Sequence, residues 1–62
     1  MLLDRDYLWC GRLMLAQYGH RARERAERRA HEMLADGNSD LSEVWTTVAA
    51  AIRQIECNAQ AA

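Results

Sequence analysis

The sequence predicts an all-α fold, either a three-helix bundle or a helical hairpin with an extra helix, assembling as a dimer. Three observations carry this reading. The 62 residues include no proline and only three glycines, so the usual helix breakers are scarce. Two glycine-bearing punctuations, Tyr18-Gly19-His20 and Gly37-Asn38-Ser39, divide the chain into three segments with helical patterning. The apolar residues include eleven alanines and no phenylalanine, so a chain of one-domain length has little bulk with which to build a core. Small chains usually compensate with a disulfide, a metal or a second copy of themselves, and the residue pattern favours the second copy.

The first helix is placed at about residues 4–18. On a wheel of roughly 100° per residue, Tyr7, Leu8, Trp9, Cys10, Leu13, Met14, Leu15, Ala16 and Tyr18 cover nearly every direction, interrupted by Arg12 and Gln17. A helix apolar all round is buried on more than one side, and two neighbours in so small a monomer cover only part of it. The expected self-association interface is Leu8, Trp9, Gly11, Leu15 and Tyr18, most simply about a twofold axis. Gly11, costly by about 1 kcal/mol inside a helix relative to alanine, suits a backbone crossing close by.

The second helix is placed at about residues 20–36. Its apolar stripe is narrow, Ala22, Ala26 and Ala30, widening only at Met33 and Leu34. Alanine permits close helix contact and contributes little transfer energy. The remaining surface is charged, with Arg23 and Glu27, Glu24 and Arg28, and Arg28 and Glu32 at i,i+4 spacing. Arg21, Arg25, Arg28 and Arg29 fall within roughly a quarter turn, away from the alanines. That sector is a candidate patch for an acidic partner or for phosphates, since arginine forks match both. Interspersed glutamates and the lack of an aromatic beside it in the sequence favour a solvated, salt-bridged face over nucleic-acid binding.

The third helix is placed at about residues 40–58, with a frayed tail beyond it. Asp40-Leu41-Ser42-Glu43 has the spacing of a capping box. Leu41, Val44, Trp45, Val48, Ile52 and Ile55 then recur at three- and four-residue steps and predict a core stripe. Only Arg53 adds a positive charge to this helix, which disfavours it as a DNA-reading helix.

Composition narrows the functional classes. Formal net charge is −1, and all eight basic residues are arginines, which argues against a surface built throughout for nucleic acid or acidic membrane. Cys10 and Cys57 lack zinc-like spacing, and in an up-down-up arrangement they sit too far apart along the axis for an internal disulfide. His20 and His31 lie three turns apart, so no metal or cofactor is expected. The opening MLLDRD lacks the basic start of a secretory signal, and apolar stretches such as Leu13 to Ala16 are far short of a membrane span. No nucleophile, base or paired carboxylates converge, so no catalytic residues are assigned.

The order of these features, Leu8-Trp9, Tyr18-Gly19, Ala26, Arg29-Ala30, Leu34, the Gly37 turn, Trp45 and Ala51-Ile52, resembles a family of short uncharacterised bacterial all-helical proteins, a domain of unknown function. The resemblance covers about Leu8 to Ile55; where such relatives often carry Gly-Asp at the second turn, this chain has Gly37-Asn38. It implies a bacterial, cytoplasmic protein and supplies no activity. The leading expectation is a homodimeric, non-catalytic interaction module acting as an accessory or regulatory protein. The alternatives are a phage-type inhibitor docking on a nucleic-acid-handling complex, and nucleic-acid binding through the arginine-rich second helix.

Overall fold

Helix-forming sequence between two left-handed glycines gives three α-helices: α1 (Asp4–Tyr18), α2 (Ala22–Ala35) and α3 (Ser39–Ala61), with a three-residue 3₁₀ turn, Gly19–Arg21, between the first two. The computed structural model describes residues 4–61, with side chains for residues 5–58. The reading of the chain start as lacking a secretory signal falls partly on residues 1–3, outside the described residues. Observed and expected bounds agree for α1. The second α-helix starts two residues late because the chain turns through 3₁₀ geometry first, and α3 starts one residue early and continues through the tail expected to fray. Among the described residues there is no strand, and no helix is long and apolar enough to cross a membrane.

Both glycines adopt the backbone expected of them, with φ of 60° at Gly19 and 83° at Gly37. At the second turn Gly37 N–H donates to the Leu34 carbonyl and Asn38 N–H to the Met33 carbonyl, at 3.0 and 2.8 Å. This is a Schellman ending, which satisfies carbonyls that the helix leaves free. Asn38 then starts α3: its Oδ1 accepts from Leu41 N–H at 3.1 Å, and its carbonyl accepts from Ser42 N–H. Asn38 is therefore the N-cap. The expected capping box from Asp40 to Glu43 is not the helix start, because Asp40 already lies inside the first turn.

The core follows from the alanine stripe. Ala22, Ala26 and Ala30 are buried, and Ala22 and Ala26 form one cluster with Val48, Ala49 and Ile52 of α3. Small side chains let the two backbones approach closely, and dispersion contacts across the seam replace bulky burial. Ser42 Oγ donates to the Ala30 carbonyl across the seam at 2.8 Å. Ile52, fully buried, is the one large side chain among the described residues with no exposure.

The first helix packs mainly on α3 and less on α2. A Cβ on Gly11 would lie 3.3 Å from Ile52 Cγ1 and 3.5 Å from the Ile52 backbone nitrogen, so the close crossing that this glycine suits is made by the chain's own third helix. Gly11 lies against Ile52 and Ile55, and Cys10, Leu13, Met14 and Gln17 share a hollow with Val44, Trp45 and Val48. Both cysteines are free thiols, Cys10 half-buried and Cys57 exposed.

The expected core stripe of α3 holds at Val48 and Ile52 and is half-buried at Val44, Trp45 and Ile55. It fails at Leu41, which is 44% exposed, as Leu34 is at 59%. These two leucines flank the turn, at the end of the hairpin away from the positions that α1 touches.

Candidate functional site

The surface of α1 that faces away from the hairpin is set by its wheel. Arg5, Trp9, Arg12, Leu13 and Ala16 are all exposed and recur at three- and four-residue intervals. Trp9 is 61% and Leu13 52% exposed, a large apolar area for a helix whose opposite side already meets the core. Beside Leu13 lies a hollow of about 280 Å³ between α1 and α3, lined by Cys10, Leu13, Met14, Gln17, Val44, Trp45 and Val48.

The five residues expected at a self-association interface do not share one surface. Gly11 is buried against α3, because the tight crossing is internal. Leu15 and Tyr18 are partly buried and packed on the core cluster, and Leu8 is half-buried. Trp9 alone of the five positions faces solvent broadly. Leu13, not in that set, is its exposed neighbour one turn on.

All four arginines of the expected anionic-partner patch are exposed. Arg21, Arg25 and Arg28 border a shallow depression with Glu24. Of the expected ion pairs, Arg23 meets Glu27 at 3.8 Å. Glu32 pairs with Arg29 at i,i+3, at 3.9 Å, in place of Arg28. Among the described residues, Arg21, Arg25 and Arg28 have no carboxylate within ion-pair distance.

The expectation that no aromatic stands beside these arginines is overturned. The Arg25 guanidinium lies over the Tyr18 ring, 5.0 Å from its centroid. A recess of about 400 Å³ is lined by Met14, Gln17 and Tyr18 from α1, Arg25, Arg28, Arg29 and Glu32 from α2, and Trp45 from α3. All three helices contribute to it. Met14, Gln17 and Trp45 also line the apolar hollow, so the two depressions have walls in common. In sequence the aromatics are hidden: Tyr18 precedes Arg25 by seven residues across a helix break, and Trp45 belongs to another helix.

On the opposite side of the hairpin a fourth depression, of about 360 Å³, is lined by the small side chains of Ala30, Ser42, Thr46, Ala49 and Ala50 together with Glu27, His31, Leu34 and Arg53. Thr46 and Thr47 donate their hydroxyls to the carbonyls of Ser42 and Glu43, one turn back, which leaves those groups internally satisfied. No family model, curated protein or solved structure matches the chain.

Proposed function

We propose that this protein is a non-catalytic protein–protein interaction module, a helical hairpin carrying an extra helix, which works as a homodimer through the outer face of α1. The observation that carries the reading is the exposure of Trp9 and Leu13 beside an apolar hollow of which Leu13 itself forms one wall. A knob and a matching recess on one face are self-complementary, which is what a twofold contact requires. Two α1 helices laid antiparallel about Leu13 place Trp9 of each copy opposite Gln17 of the other, at the rim of the hollow. Ala16, exposed on the same stripe, keeps the two backbones close. Fully burying a Trp or Leu side chain contributes roughly 1.5–3 kcal/mol, and each copy supplies both.

The test is sedimentation velocity at micromolar to millimolar concentration. The wild-type chain is expected to sediment as two copies. Trp9→Gln/Leu13→Gln, which removes exposed apolar groups and leaves the internal core intact, is expected to sediment as one copy with unchanged helical circular dichroism. A wild-type protein that remains monomeric throughout that range overturns the proposal.

A further inference from the structure

We propose that the recess formed by Tyr18, Arg25, Arg28, Arg29 and Trp45 binds single-stranded nucleic acid, arginines holding phosphate and Trp45 stacking a base. This goes beyond the self-association reading: Met14, Gln17 and Trp45 border both the hollow and the recess, and the recess adds the arginine side of α2.

Three observations converge on it. A guanidinium stacked on a ring uses its π-face and keeps its edge N–H groups for acceptors. With Arg25 laid over Tyr18, the fork is held in place before a phosphate arrives, and less side-chain freedom is lost on binding. Second, Arg25 and Arg28 have no carboxylate partner among the described residues, whereas Arg29 is paired with Glu32, which also lines the recess, so it is between Arg25 and Arg28 that a phosphate enters without displacing an ion pair. Third, the recess brings a half-buried indole within the same walls as these arginines. Basic groups that follow a backbone, beside an aromatic surface for bases, are the two elements of single-strand recognition. The volume, about 400 Å³, lies within the range of small-ligand pockets. An acidic protein surface would meet the arginines equally well but has no use for the indole among them.

The test uses fluorescence anisotropy with a labelled oligothymidylate at low and moderate salt. The comparison ligands are an abasic deoxyribose-phosphate strand, thymidine monophosphate, inorganic phosphate and polyglutamate. The intact strand is expected to bind at least about fivefold more tightly than the abasic strand, since one stacked base is worth about 1 kcal/mol or more. Arg25→Gln/Arg28→Gln is expected to weaken strand binding about tenfold or more and to reduce the salt slope by about 1.4, or 0.7 for each phosphate no longer neutralised. In a Trp9→Phe background, where Trp45 is the remaining tryptophan, the intact strand should quench indole emission and the abasic strand should not. If the mononucleotide competes as well as the strand, the same base-and-phosphate chemistry is assigned to a free nucleotide. Equal binding of intact strand, abasic strand and polyglutamate overturns the proposal, as does no binding at low salt. Repeating the titration on Trp9→Gln/Leu13→Gln separates the two readings: a monomer that still binds the strand supports this site alone, and a dimer that binds none removes it alone.

Discussion

The α2–α3 seam and the α1–α3 crossing are built from the same small stock of apolar residues, yet they are specified differently. The seam is fixed by local chemistry at one end and by alanines along its length: a Schellman ending, an Asn38 cap, the Ser42 bond to Ala30, and close approach at Ala22 and Ala26. The crossing relies on side-chain burial around Gly11 and Ile52, and leaves Trp9 and Leu13 in solvent. A helix pair held by hydrogen bonds and close backbones can dispense with bulky groups. The first helix comes this close only at Gly11 and otherwise depends on its side chains, of which it carries more than its own chain covers.

Ile52 offers the largest test of this contrast because it serves both interfaces. Ile52→Ala is expected to lower unfolding free energy by about 2–5 kcal/mol, read as a drop in urea midpoint, and to reduce amide protection in all three helices. A loss confined to α1 would break the comparison by showing that the seam does not need this side chain. Gly11→Leu comes next. Its added atoms meet Ile52 at a Cβ separation already at 3.3 Å, so about 1–3 kcal/mol of destabilisation is expected. Hydrogen exchange should show α1 amides losing protection while those of α2 and α3 keep theirs, and uniform loss would contradict separate specification. Asn38→Ala is the smallest, at about 0.5–2 kcal/mol, with fraying localised to the first turn of α3 and the α1 crossing unaffected.

Much of this architecture is legible along the chain where the signal is local. The limits of α1 and the two left-handed glycines follow from residues within a turn of each feature. The α3 start is misread because Asp40 and Glu43 have capping-box spacing, while Asn38 is already engaged in the Schellman ending of α2, just after Gly37; one side chain and its amide serve two motifs, and spacing rules treat them singly. Leu41 fits the core period of α3 but lies past the cover that the neighbouring helices provide, a limit set by tertiary placement. The candidate sites are less legible. Gly11 signals a close crossing without saying which helix makes it, and Trp45 joins the arginines only when three helices meet.

The double engagement of Asn38 also bears on how the molecule can move. With its amide tied back to Met33 and its side chain tied forward to Leu41, the corner has no slack residue about which α2 and α3 could hinge. Any rearrangement on binding therefore falls to the first helix, whose connection through Gly19 has no side-chain cap at Tyr18, and whose tilt would open or close the recess shared by all three helices.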